Sequence, residues 1–156
     1  MYQTLLYYKY VRIEDATALA EQHLQFCKDL GLTGRVLIAE EGLNGTVSGT
    51  REQCAAYMAH VEADERFRGI HWKIDDVSEP SFTKMHVRVK REIVHVGLPE
   101  LDPTQFPDNH LEPAEFLAMK DAEDVVVLDV RSNYEHQLGR FKNAVTLDIE
   151  NFREFP

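Results

Sequence analysis

The stretch Gly34 to Gly49, GRVLIAEEGLNGTVSG, constrains the fold more than any other part of this chain. Arg35 leads an apolar run, Val36 to Ala39, that suits a buried strand, and Thr46 to Ser48 suits a second, short one. Asn44-Gly45 precedes the second strand, and Asn-Gly is the strongest short-range hairpin signal because both residues accept the positive φ of a type I′ turn. The loop from Glu40 to Gly45 is longer than a tight two-residue turn, so a wider connection stays open. Either form puts two antiparallel strands at the centre of a small α+β sheet.

The flanking segments complete the pattern. Thr4 to Val11, rich in aromatic and apolar residues, reads as a strand. Asp15 suits the N-cap of a helix whose stripe is Ala16, Leu19, Ala20, His23, Cys27 and Leu30, with Gly31 as its stop. His23 lies on that stripe without a second ligand at i+4, which favours a packed, hydrogen-bonded histidine over a metal ligand. Thr50 and Gln53 form a capping box ahead of a stripe of Cys54, Tyr57, Met58 and Val61. A strand over Ile70 to Val77, with Ile70, Trp72 and Ile74 pointing inward, closes a β-α-β-β-α-β order. That is the ferredoxin-like split pattern, an antiparallel sheet with both helices on one face.

An extra strand is expected within Phe82 to Val96. Met85, Val87 and Val89 alternate there with Lys84, His86, Arg88 and Lys90, so the second set faces away from the core. Its members recur every roughly 7 Å, near the spacing of successive phosphates along a nucleic-acid strand. A solvated face balanced by neighbouring carboxylates is the plainer explanation, and an RNA-backbone contact surface the functional one. The chain's net charge of −10 argues against general nucleic-acid coating. That charge is uneven, however. Residues 1–96 carry 12 Lys and Arg against 14 Asp and Glu, whereas residues 97–156 carry 5 against 13.

Residues 97–113 hold four of the six prolines and read as an extended linker between a domain at 1–96 and a second region at 114–156. Glu112 to Lys120 begins a helix with proline in its first turn. Val125 to Val130, VVVLDV, suits a parallel strand covered on both faces, with Asp129 and Arg131 at its carboxyl end. A short helix around Tyr134 to Leu138 and a strand near Ala144 to Leu147 follow. No apolar run approaches the roughly 20 residues a bilayer span needs, and the start lacks the marks of a signal peptide. Cys27 and Cys54 fall on apolar helix faces, so buried free thiols and a cytoplasmic setting are expected. His60, His71, His95 and His110 show no metal spacing, and no glycine-rich nucleotide loop occurs.

Leu128 to Val145, LDVRSNYEHQLGRFKNAV, resembles the opening half of a rhodanese domain, with Asp129, Arg131, Glu135, Gly139 and Ala144 in the family's places and Arg140-Phe141 in place of the usual His-Ile. Together with YYKYVRIED, the hairpin stretch, MHVRVKREIV and NFREFP, it makes the whole chain resemble the bacterial rhodanese-related tRNA uridine hydroxylases. The resemblance implies an acylphosphatase-like, ferredoxin-like N-terminal domain followed by the first part of an α/β rhodanese domain. It implies an oxidoreductase of tRNA modification that forms 5-hydroxyuridine at the wobble position, with molecular oxygen as co-substrate and no other cofactor identifiable. It also implies an essential cysteine opening a Cys-Thr-Gly-Gly-Ile-Arg-Cys loop, one strand beyond residue 156. The expectation is therefore a family member that ends early and is inactive by itself. Its partner is tRNA, with no metal and no membrane. Lys84, His86, Arg88 and Lys90 are the RNA-binding candidates, while Asp129, Arg131 and Glu135 are structural, an Arg131–Glu135 pair tying loop to helix.

Three other functions compete with this one. A rhodanese-type sulfurtransferase needs a cysteine to carry the persulfide, and neither Cys27 nor Cys54 stands in the right place. Acylphosphatase chemistry needs a phosphate cradle after the first strand, where Val11-Arg12-Ile13-Glu14-Asp15 offers two carboxylates instead. A non-catalytic RNA-binding module remains the alternative for this chain.

Overall fold

A computed structural model describes residues 1–94, 98, 102–105 and 110–155. The chain divides into two compact units, Met1–Val94 with Asp102–Thr104, and a rear unit over Gln105–Pro156. In the front unit β1 (Tyr2–Tyr10), α1 (Ala16–Leu30), β2 (Thr33–Ala39), β3 (Gly42–Thr50), α2 (Arg51–Ala63), β4 (Lys73–Val77) and β5 (Met85–Val89) follow one another. The sheet order is β4-β1-β3-β2-β5. Its first four strands pair antiparallel and β5 adds parallel to β2. This is the expected ferredoxin-like βαββαβ sheet with one strand more.

Both helices begin and end where their chemistry dictates. The Asp15 carboxylate accepts from the Ala18 N–H at 2.9 Å, and Gly31 takes a left-handed φ of 78° to end α1. Thr50 and Gln53 form the reciprocal box at the start of α2. Between these helices and the sheet lies a core that includes Leu5, Tyr7, Val36, Ile38, Val47 and Tyr57, none more than 2% exposed. Burying side chains of this size stabilises by about 1.5–3 kcal/mol each. The Tyr57 hydroxyl joins Tyr7 on one side and His23 Nε2, at 2.7 Å, on the other, so the polar groups inside this core satisfy one another. Burial pushes the His23 pKa down to about 4 and raises that of Tyr57. His23 is thus the packed histidine its position on the stripe implied.

The hairpin differs from expectation at its turn. Ala39 pairs with Gly42, so Glu40-Glu41 make the connection, and β3 runs unbroken through Asn44-Gly45 rather than starting at Thr46. Gly42, at φ 148°, lies so close to the Lys9 carbonyl that a Cβ would collide with it. Gly45 is needed for another reason, because a Cβ there would overlap the Tyr7 hydroxyl. Asn44 is a strand residue whose Nδ2 donates to the Ile93 carbonyl at 3.2 Å.

Other elements shift at their edges. β1 begins two residues earlier than Thr4, and β4 starts at Lys73. Ile70 is buried and Trp72 packs on Tyr7 at 4.6 Å between ring centroids, but Ile74 is 46% exposed because β4 is an edge strand with no neighbour beyond it. The extra strand is five residues, Met85–Val89, and His95 and Val96 lie outside the described residues, as do residues 97, 99–101 and 106–109 of the linker.

The rear unit contains α3 (Pro113–Met119), β6 (Leu128–Asp129), α4 (Asn133–Leu138) and β7 (Val145–Thr146), with β6 and β7 parallel. The apolar run at Val125 to Val130 yields only a two-residue strand. Val126 is 76% and Leu128 46% exposed, so the cover expected on both its faces is absent among the described residues.

Candidate nucleic-acid interface

The helices cover one face of the front sheet, and the other face carries the candidate residues. Met85 and Val87 of β5 pack against the core, while Lys84, His86, Arg88 and Lys90 are exposed. Val89, expected inward, is 46% exposed at the end of this edge strand. The β2–β5 register sets Arg35 opposite His86 and Leu37 opposite Arg88. Arg35 therefore stands on the same face as the β5 row, as does Lys73, paired through Leu6 and Thr46. Neither Arg35 nor Lys73 stands out in the sequence. Each is a single cation in a short strand, and only strand register brings them to the row.

Four arginines of the front unit are tied to carboxylates. Arg12 pairs with Glu40 at 3.6 Å, Arg51 with Asp76 at 2.6 Å, Arg66 with Asp64 at 2.5 Å and Arg68 with Glu65 at 3.6 Å. Hydrogen bonds from Gln3 and Arg51 hold the Asp76 carboxyl below the usual carboxylate range. Among the described residues, Arg35, Lys73, Lys84, Arg88 and Lys90 make no ion pair with a carboxylate. Asp75 is the one strand carboxylate whose register puts it on their face, and Glu79 lies on the segment that crosses it. The balancing carboxylates that the plainer explanation requires are thus largely missing.

Two other candidate sites resolve into structural contacts. After β1, Arg12 is engaged by Glu40, and the N-terminus of α1 is occupied by the Asp15 carboxylate, leaving no cradle for phosphate there. Cys27 and Cys54 are free thiols, both fully buried. Desolvation pushes Cys27 up to about 12 and raises Cys54, so neither offers a thiolate nucleophile.

In the rear unit Arg131 pairs with Asp129 and not with Glu135. Its Nε and Nη2 donate to the two carboxylate oxygens at 2.9 and 2.7 Å, and Nη2 also reaches the Gly139 carbonyl at 2.7 Å. Glu135 is taken up by Ser132 in the box that starts α4, accepting from its N–H at 3.1 Å and its hydroxyl at 2.7 Å. Local capping wins because Glu135 sits three residues after Ser132, while the two-residue offset of Asp129 and Arg131 closes a two-pronged pair. Hydrogen bonding from Arg131 holds Asp129 down at about 2. The pair borders an open, mainly apolar cleft of ≈ 610 Å³ that also meets Phe116, Val127 and Phe141.

Residues 2–93 match the family model described as the UPF0176 acylphosphatase like domain. The chain is 61% identical over 155 residues to a protein of Cytophaga hutchinsonii named tRNA uridine(34) hydroxylase, covering 99% of this chain and 50% of that one. A protein of the same name from Streptococcus uberis is 50% identical over 160 residues, covering 99% and 49%. The chain spans about half the length of the curated relatives it matches. Among solved structures, Klebsiella pneumoniae BlrP1 in a manganese and cyclic-di-GMP complex aligns at a TM-score of 0.50 and 23% identity, over 58% of this chain and 24% of that one. BlsA in its photo-activated state aligns at 0.50 and 18%, over 59% and 71%. At such identities the likeness is one of fold alone.

Proposed function

The chain belongs to the family of the UPF0176 acylphosphatase-like domain, and from that premise we propose that it is the N-terminal portion of an oxygen-dependent tRNA hydroxylase acting on the wobble uridine in the cytoplasm. Its front unit supplies RNA contact through Lys84, His86, Arg88 and Lys90. The observation that carries this reading is the segregation of charge. Arg12, Arg51, Arg66 and Arg68 are tied to carboxylates, while among the described residues Lys84, Arg88 and Lys90 beside β5 join no ion pair and are left for an outside anion. The names of the relatives supply the identity of that anion.

Hydroxylation with molecular oxygen is not work for the groups within these 156 residues, whose two cysteines are protonated and buried. The polypeptide is therefore expected to bind tRNA without modifying it. Replacing Lys84, Arg88 and Lys90 together by Ala removes three phosphate contacts. It should weaken tRNA binding and lower the slope of log affinity against log salt by about 2 to 3. An unchanged affinity and slope would discard the basic row. Formation of 5-hydroxyuridine by the isolated polypeptide would discard the assignment of chemistry elsewhere.

A further inference from the structure

A second row of side chains crosses the strands instead of following β5. Lys73 of β4 pairs with Leu6 of β1, Leu6 with Thr46 of β3, Thr46 with Arg35 of β2, and Arg35 with His86 of β5. Directly opposed residues share a face, so all five strands contribute to one line. Lys73, Leu6, Arg35 and His86 are exposed, and Thr46 is half-buried. The line spans four inter-strand gaps, roughly 19 Å, enough for about three phosphates of a strand.

The chain crosses the same face on either side of this line. On one side the connection from β4 to β5 passes over the sheet, where Ser81 donates its N–H to Ser48 Oγ at 3.1 Å and its hydroxyl meets Thr4 Oγ1 at 2.6 Å. On the other, Ile93 is held by Asn44 and by Glu41, whose Oε1 accepts the Ile93 N–H at 2.6 Å. Along β3 the two anchors, Ser48 and Asn44, are four residues apart, roughly 13 Å. The exposed line is the floor of the channel between them. Tyr8, in the row beside Asn44, adds a ring 46% exposed and edge-on to Tyr10 at 6.0 Å.

The geometry points to this channel as the seat of one unpaired strand of RNA lying across the sheet. Lys73 and Arg35 meet its phosphates, and Leu6 and Tyr8 support its bases. The inference rests on the reading of the front unit as RNA-binding, and adds where the RNA lies and in what form. Three features select this occupant. Among the described residues the line holds two cations that join no ion pair, and no carboxylate, in a chain whose net charge is −10. Half-exposed apolar and aromatic groups beside cations are what unstacked bases rest on. The channel is also narrow, so a duplex would touch only its rims.

The test uses the full 156-residue chain, a ten-nucleotide oligouridylate, its duplex with oligoadenylate, and tRNA. Arg35→Ala with Lys73→Ala should weaken oligouridylate binding about tenfold and lower its salt slope by about 1.4, or 0.7 for each phosphate released. Leu6→Glu, placing a carboxylate at the centre of the line, should abolish it with an unchanged circular dichroism spectrum. Lys28→Ala, remote on α1, should leave it intact. If tRNA binding is lost on changing Lys84, Arg88 and Lys90 but is indifferent to Arg35, Lys73 and Leu6, the transverse seat is wrong and the β5 row stands. Equal binding of duplex and single strand also overturns the seat. If the unaltered chain binds none of the three RNAs, both readings fall.

Discussion

The front and rear units solve the same problem to different degrees. In the front unit five strands and two helices enclose a core with many side chains wholly removed from water. In the rear unit two parallel strands of two residues each form the sheet, and Ile149 is the one hydrophobic residue below 9% exposure among those described. Leu117, Val126, Tyr134, Leu138 and Phe141 are all more than half exposed there. Both sequences are apolar enough to build a core, and only one has the strands to close it. Burial depends on neighbours, not on composition.

The sharpest way to break this contrast is to delete the same group from each unit. Phe67→Ala, emptying a site 4% exposed, should cost about 3–5 kcal/mol. Phe141→Ala, at 54% exposure, should cost under about 1 kcal/mol beyond its contact with Phe116. Urea unfolding followed by circular dichroism reads both, and equal costs would erase the distinction.

Hydrogen exchange probes the same contrast without mutation. Amides of Val36 to Ala39, in a central pair of strands, should exchange at least a hundredfold more slowly than those after Asp121. Comparable, strong protection in both regions would mean that the rear unit is as closed as the front.

A pH titration comes next in size. His23 is held neutral by burial, its pKa lowered from 6.5 to about 4. Between these values the unfolded chain binds the extra proton, so front-unit stability should rise with pH. The His23 contribution is complete above 6.5 and falls by about 1.4 kcal/mol for each pH unit below it, a total loss of roughly 3 kcal/mol by pH 4. His23→Gln should flatten that slope when melting is followed from pH 4 to 7.

The smallest effect belongs to the rear unit. Its Asp129 carboxyl is depressed from 3.8 to about 2 by Arg131, so its contribution is present above pH 3.8 and lost as pH falls through 2. Carbon-13 NMR of Arg131→Ala should return the Asp129 midpoint to near 3.8, whereas Glu135→Gln should leave it low.

Much of the front unit was legible because its signals are local. Asp15, Gly31, Thr50 and Gln53 act within one helical turn, and the apolar stripes of α1 and α2 follow from spacing. The hairpin turn was misplaced because Asn44-Gly45 obeys a nonlocal demand. Gly45 makes room for Tyr7, and Asn44 holds Ile93, 49 residues away. Ile74 looked internal because alternation names a face but not whether another strand lies alongside. The four cations of the β5 row were visible as alternation, while Arg35 and Lys73 needed the register of five strands to join them. In the rear unit the Asp129–Arg131–Glu135 cluster was visible, but which carboxylate Arg131 takes depended on Ser132 claiming Glu135 first.

The parallel pairing of β5 with β2 also has a mechanical meaning. β1, β2 and β5 all point the same way, so β1 starts at one end of the sheet and β5 finishes at the other. A pull that draws the start of β1 and the end of β5 apart slides β5 lengthwise along β2, loading every rung between them together instead of peeling them one by one. That is the direction in which a sheet best resists being pulled apart.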